Sequence, residues 1–104
     1  MAYVYVSMST ITKEQVIEML QTVLDPDLGI DIWTLGLIYA IDIVSQKKIN
    51  LLMTFTTPLC PMGEQIKQDV KESMRMLGFG EIIITVTFEP AWKPSDELRK
   101  ALGV

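Results

Sequence analysis

The sequence predicts a small α+β domain, a two-layer α/β sandwich with helices on one face of a three-stranded sheet. The apolar patterns along the 104 residues follow the order helix, strand, strand, helix, strand, helix. The hydrophobic fraction of 49% is sufficient for a core. A chain of this length buries roughly two-thirds of its unfolded surface, so it needs no disulfide or metal to fold. The short strands predict a mixed or antiparallel sheet.

Residues 1–10 are predicted to be an N-terminal extension, and residues 11–104 the domain itself. The strict alternation of Tyr3, Val4, Tyr5 and Val6 permits a short edge strand in the extension. Met8 offers a second candidate translation start, which would leave the preceding residues outside the natural chain.

The first helix is predicted to begin at Thr12, because Thr12 and Gln15 have the spacing of a capping box. Apolar residues recur at helical spacing from Val16 as far as Leu24. The helix must stop by Asp25, because the following proline pushes its predecessor out of the helical region.

Two alternating runs, residues 37–44 and 49–55, predict a hairpin with a polar turn between them. One face of the first run is predicted to carry Leu37, Tyr39, Ile41 and Ile43, with Asp42 on the other face. Asp42 is unusual in an otherwise apolar strand, unless that face is open or the carboxylate is paired.

The second helix is predicted over residues 61–77, with Pro61 at the first helical position, where its missing N–H is not needed. The third strand follows over residues 81–88, and Ser95 caps a short last helix.

The composition excludes several classes of function. The net charge is −4, and the nine Lys and Arg residues form no basic stripe, so no nucleic-acid partner is predicted. No apolar run reaches the roughly 18 residues that span a bilayer, so no membrane partner is predicted. Histidine is absent, which removes Ser-His-Asp and Cys-His arrangements within one chain and argues against an enzyme. A lone cysteine suits a reducing compartment and predicts a cytoplasmic location.

That lone cysteine, Cys60, lies in the loop Thr56-Thr57-Pro58-Leu59-Cys60-Pro61, just before the second helix. A helix N-terminus stabilises a thiolate, so the loop is predicted to present a reactive thiol. The alternative is a buried thiol that acts as a small core residue. One cysteine cannot supply the four thiolates of an ordinary iron–sulfur cluster, so any cluster must be shared, for example across a symmetric homodimer.

Acidic and aromatic residues complete the candidate site. Asp25 and Asp27, with Asp31 nearby, can hold a hard cation or a basic partner, although helix termination and turn formation are the simpler explanation and are favoured over metal binding. Glu89 and Trp92 follow the third strand, and Trp92 is either a core residue or the wall of a pocket.

Four separated motifs now carry a resemblance: Asp25-Pro26-Asp27, Ile32-x-x-Leu35-Gly36-Leu37-Ile38-Tyr39, Thr56-Thr57-Pro58-x-Cys60-Pro61 and Glu89-Pro90-x-Trp92. Together they resemble the SufT/PaaD-like family of iron–sulfur cluster assembly proteins. The resemblance implies a fold similar to the C-terminal domain of Nfu scaffolds. It also implies that Asp25, Asp27, Thr56, Thr57, Cys60 and Glu89 are the family's characteristic positions.

The implied role is that of an accessory factor in maturing iron–sulfur proteins, with no stably bound cofactor. Such a factor handles iron or a cluster transiently through Cys60, or bridges the assembly machinery to apo-client proteins. A metal-free adaptor, a thiol enzyme and a PaaD-like factor for a phenylacetyl-CoA oxygenase remain alternatives. Asp27 stands where the family often has glutamate, and the chain lacks the extra C-terminal cysteines of PaaD-like members, which favours the general assembly role.

Overall fold

The computed structural model describes residues 10–59 and 61–103, apart from the side chain of Leu102. The predicted extension, residues 1–10, lies outside this range except for Thr10. The helices are α1 (Lys13–Leu20), α2 (Gly63–Leu77) and α3 (Asp96–Leu102), and the strands are β1 (Ile38–Ile43), β2 (Lys48–Met53) and β3 (Glu81–Val86). The predicted α+β class and the predicted order of elements are confirmed. None of the described helices is both long enough and apolar enough to cross a bilayer.

The sheet is mixed and has the order β1-β2-β3. β1 pairs with β2 in antiparallel fashion, as the predicted hairpin requires. β3 runs parallel to β2, because helix α2 carries the chain back across the sheet between them. The two alternatives for the sheet, mixed or antiparallel, are therefore resolved in favour of the mixed one.

A shift of register between Ile38 and Ala40 alters the predicted face of β1. Ile38, Ile41 and Ile43 lie opposite buried residues of β2 and pack against the core. The prediction that Tyr39 shares this face is wrong, because the extra residue at the bulge interrupts the alternation of side chains.

The core lies between one face of the sheet and helices α1 and α2. Both helices and all three strands contribute apolar side chains to it, and Leu98 of α3 joins them. The fully buried members include Val16, Leu20, Ile49, Leu51, Met53, Ile66, Val70 and Met74. The other face of the sheet carries Ala40, Asp42, Asn50, Leu52, Ile83 and Thr85, which are exposed or half-buried.

Helix α1 has the predicted capping box at Thr12 and Gln15. It ends at Leu20, although apolar residues continue at helical spacing as far as Leu24. The hydroxyl of Thr22 donates to the backbone oxygen of Met19 at 2.6 Å, and the amide of Thr22 bonds to the same oxygen. This local hydrogen bonding competes with continuation of the helix. Val23 is nevertheless buried, although it lies beyond the end of the helix.

Candidate functional site

One edge of the sheet gathers three separated parts of the sequence. Ile38, at the start of β1, lies opposite Met53, at the end of β2, and Met53 lies opposite Val86, at the end of β3. The described parts of the segments 35–37, 54–59, 61–62 and 87–92 therefore meet at this edge. Three of the four motifs that carry the resemblance lie wholly or partly in these segments.

The loop after β2 begins with two buried residues. The amide of Thr54 donates to the backbone oxygen of Leu37 at 2.8 Å, and this bond fixes the direction in which the loop leaves the sheet. Thr56 is half-buried, whereas Thr57 and Pro58 are exposed. The Thr57 hydroxyl oxygen accepts a bond from the amide of Leu59 at 3.3 Å. The hydroxyl proton of Thr57 is still able to donate to a bound group.

Helix α2 begins at Gly63, so the prediction of Pro61 as its first residue is wrong. Pro61 and Met62 instead form a turn, and Met62 occupies the N-cap position without a side-chain hydrogen bond. A Cβ atom on Gly63 would lie 2.9 Å from Cε2 of Phe55, so the helix starts where glycine allows the aromatic ring to approach. Cys60, the predicted thiol and metal ligand, lies outside the described residues.

A pocket of about 300 Å³ lies beside this loop. Its lining comprises Phe55, Pro58, Pro61, Gly63, Glu64, Lys67, Val86 and Phe88. The rings of Phe55 and Phe88 are tilted at 54° with centroids 6.4 Å apart, and Lys67 pairs with Glu64 at 3.4 Å. The described residues of this loop, Pro58 and Pro61 among them, therefore lie beside an aromatic wall and one ion pair.

The segment after β3 is tied to the start of β1. The Tyr39 hydroxyl donates to the backbone oxygen of Pro90 at 2.9 Å, and Nε1 of Trp92 donates to the backbone oxygen of Leu35 at 2.6 Å. Trp92 is half-buried and packs against the core. Glu89 is exposed, and its amide donates to the hydroxyl of Thr87. These bonds hold Glu89 at the same edge of the sheet as the loop.

The carboxylate of Asp25 stabilises the turn in which this residue lies. The residue is only 1% exposed, and its Oδ1 accepts bonds from the amides of Asp27 and Leu28 at 2.9 and 3.3 Å. Its backbone oxygen accepts a bond from the amide of Gly29 at 2.8 Å. Asp27 is exposed beside it. Turn formation, the simpler of the two explanations for these aspartates, accounts for both hydrogen bonds that the Asp25 carboxylate accepts.

Asp42 lies apart from the other candidates. It is exposed on the open face of the sheet, opposite Asn50 and near the hairpin turn. It is four residues along β1 from Ile38, which corresponds to about 13 Å of strand. The open face explains why a carboxylate is tolerated in an apolar strand.

The residues that the structure describes contain no group of three or more His, Cys, Asp or Glu side chains arranged to hold a metal ion. The acidic candidates are thus not assembled into a ligand set of their own. A metal at the loop would depend on Cys60 and on groups from outside these ranges.

The sequence model of a family described as iron-sulfur cluster assembly protein matches residues 13–86, from the first residue of α1 to the last residue of β3. The chain belongs to this family. The resemblance predicted from the four motifs is thereby confirmed, and the match leaves out the fourth of them, which begins at Glu89.

Relatives within the iron–sulfur cluster assembly family cover nearly the whole domain. An Fe-S protein maturation auxiliary factor of Porphyromonas gingivalis is 35% identical over 88% of this chain and 91% of its own length. The Fe-S protein maturation auxiliary factor SufT of Staphylococcus aureus is 35% identical over 79% of this chain and 98% of its own. The solved structure of a conserved hypothetical protein from Thermotoga maritima is 40% identical and has a TM-score of 0.81, over 92% of this chain and 98% of its own.

Sequence reasoning missed two features of this family member's site. The aromatic wall of Phe55 and Phe88 joins residues 33 positions apart, and only the parallel pairing of β2 with β3 brings them together. The bond from Tyr39 to Pro90 likewise depends on the sheet. Gly63, two residues after the end of the Thr56–Pro61 loop, is the one local signal of close packing, because a glycine at a helix start often marks an approach that a side chain would block.

Proposed function

We propose that this member of the iron–sulfur cluster assembly family is a non-enzymatic accessory factor in the maturation of iron–sulfur proteins, which holds iron or a cluster transiently as cargo through Cys60. The relatives in Porphyromonas gingivalis and Staphylococcus aureus are both named as maturation auxiliary factors. The observation that carries the proposal is the convergence at one sheet edge of three motif segments, one of which contains Cys60.

The loop's surroundings suit transient rather than permanent binding. The pocket beside it is open, its walls are largely aromatic and proline side chains, and the charged members among its described residues are the paired Glu64 and Lys67. Oxygen ligands for a permanent site are therefore few at this position. A single thiolate must share its cargo with a second copy of the chain or with a client, and a shared cluster is released when that partner leaves.

The partners proposed are the iron–sulfur assembly machinery and apo-client proteins, and the location is the cytoplasm. A lone thiol that carries iron must stay reduced, and a reducing compartment keeps it so.

Anaerobic reconstitution with ferrous iron and sulfide tests the carrier role. The wild-type chain should gain charge-transfer absorption in the visible range, and Cys60→Ala should lose it while keeping the wild-type circular dichroism. Mass in solution should show whether the loaded form contains two chains. Equal iron in the two proteins, or no iron in either, would overturn the carrier role.

A second candidate is a metal-free adaptor that recruits clients through the turn at Asp25–Gly29. It is favoured by one observation, that the described residues hold no acidic ligand set of their own. Asp27 is the residue to change, because it is exposed whereas Asp25 is buried. If Cys60→Ala still captures clients and Asp27→Lys does not, the result supports the adaptor. If Cys60→Ala loses client capture and Asp27→Lys retains it, the result supports the carrier.

A further inference from the structure

A groove of about 610 Å³ separates the C-terminal end of α1 from the second half of α2. Its apolar lining includes Met19, Val23, Leu24 and Met76. Leu24 is 52% exposed and Met76 is 76% exposed. Isolated exposed apolar residues are common on protein surfaces, but apolar residues that share one groove mark a site of interaction.

Helix α2 lines this groove with a stripe of side chains along one side of the helix. Asp69, Glu72, Ser73 and Met76 have the spacing i, i+3, i+4 and i+7, so they lie along one side of the helix. The core-facing residues of α2, such as Val70 and Met74, form a separate stripe. The groove stripe rises about 10 Å along the helix axis, which is close to two turns. This length suits a third helix packed beside α1 and α2.

The rim of the groove is acidic. Asp69 and Glu72 line it, whereas the basic residue Lys71 lies toward the opposite side of α2, as the 100° rotation per residue requires, and Arg75 lies next to Glu72 at the edge of the groove. Arg75 reaches Glu72 at 3.6 Å, but both side chains are more than half exposed, and such surface pairs contribute little. Glu72 is thus free to change partner. An apolar floor with an acidic rim is complementary to an apolar surface flanked by basic groups.

We propose that this groove binds an amphipathic helix of a partner protein, whose apolar face is flanked by lysine or arginine. Met19 and Met76 suit this use, because methionine side chains adapt to differently shaped apolar surfaces. The groove adjoins the second half of α2, whereas the Cys60 loop precedes the first residue of that helix. The inference therefore goes beyond the proposed carrier function and does not rest on it.

Two synthetic helical peptides of about 14 residues test the proposal, one of leucine and lysine and one of leucine and glutamate with the same apolar pattern. Calorimetry on the full chain should show the lysine peptide binding about tenfold tighter. Combining Asp69→Lys with Glu72→Lys should reverse the preference. The matched control combines Glu14→Lys with Asp42→Lys, which makes the same change of net charge away from the groove, and it should retain the wild-type preference.

Leu24→Ala and Met76→Ala should each weaken lysine-peptide binding several-fold without unfolding the chain, because both side chains are exposed. Equal affinity for the two peptides, an unchanged preference after the charge reversal, or binding indifferent to both alanine changes would overturn the proposal. A wild-type dimer that Met76→Lys dissociates would also overturn it, because a second copy would then occupy the groove. Cys60→Ala should leave peptide binding unchanged, which separates this result from the test of the carrier role.

Discussion

The indole Nε1 of Trp92 lies 2.6 Å from the backbone oxygen of Leu35, and this bond links two motifs that are 57 residues apart. Gly36 follows Leu35 with a φ of +76°, a conformation that glycine adopts without strain. A Cβ on Gly36 would lie 4.0 Å from the same indole nitrogen. The Leu35–Gly36 turn and Trp92 thus form one contact, which anchors the segment carrying Glu89 beside the loop.

Trp92→Phe is expected to destabilise the fold by about 1–3 kcal/mol, because it leaves the Leu35 oxygen without its indole donor and removes part of the apolar ring surface. Urea unfolding followed by circular dichroism measures this difference. Tyr39→Phe is the comparison, since it removes only the bond to the Pro90 oxygen at a more exposed site, and about 0.5–1 kcal/mol is expected. A loss on Trp92→Phe no greater than that on Tyr39→Phe would contradict the anchoring role.

Asp25→Ala should destabilise the fold by about 1–2 kcal/mol, because the amides of Asp27 and Leu28 lose their acceptor, a side chain that is itself buried. Asp25→Asn keeps an acceptor oxygen and should cost less. Asp27→Ala should change stability by less than about 0.5 kcal/mol, since its side chain is exposed. Chemical denaturation of the three variants gives the order directly. If Asp25 acted as a cargo ligand instead, Asp25→Asn would lower iron content at unchanged stability.

Thr12→Ala should cost about 1 kcal/mol, because it removes one half of the capping box that begins α1. The Thr12 hydroxyl accepts a bond from the amide of Gln15 at 3.2 Å, and the Gln15 side chain accepts one from the amide of Thr12 at 2.8 Å. Thr12→Ser retains the acceptor and is the control, with a cost of a few tenths of a kcal/mol. Thermal unfolding that finds the two variants equally destabilised would show that the hydroxyl does not cap the helix.

Features that depend on residues close together in the sequence are predicted correctly, whereas features that depend on contacts between distant residues are not. The capping box joins residues three positions apart, and the local spacing predicts it correctly. The order of helices and strands is also predicted correctly, because the apolar pattern of each element lies within its own segment of the sequence. The bulge near Tyr39 depends on pairing with β2, and no local alternation reveals it. The family motifs are visible in the sequence, but the contact between Trp92 and Leu35 that joins two of them forms only in the folded chain.

The carboxylates illustrate a second limit. Asp25 and Asp27 look alike in sequence, yet Asp25 is buried and accepts hydrogen bonds, whereas Asp27 is exposed. Which aspartate turns inward is decided by the path of the turn and by the strand-like bridge between Leu24 and Asp31. Spacing alone therefore indicates an acidic cluster but does not separate a structural carboxylate from one that is free to bind.

Gly63→Ala tests how tightly the start of α2 fits against the loop that precedes it. The new methyl group would meet Cε2 and Cζ of Phe55 at 2.9 and 3.1 Å, closer than side chains pack. Phe55 is 9% exposed and lies against Phe88, so its ring has little room to move. Overpacking of this kind costs about 1–3 kcal/mol, against a gain of at most about 1 kcal/mol from the better helix propensity of alanine. A net destabilisation of about 1 kcal/mol is expected in urea unfolding.

Phe55→Leu makes space, so Gly63→Ala should be neutral or stabilising in that background, with a coupling energy of about 1 kcal/mol in the double-mutant cycle. Strictly additive effects would mean that the ring and the glycine do not constrain each other, and that the wall of the pocket is looser than its geometry indicates.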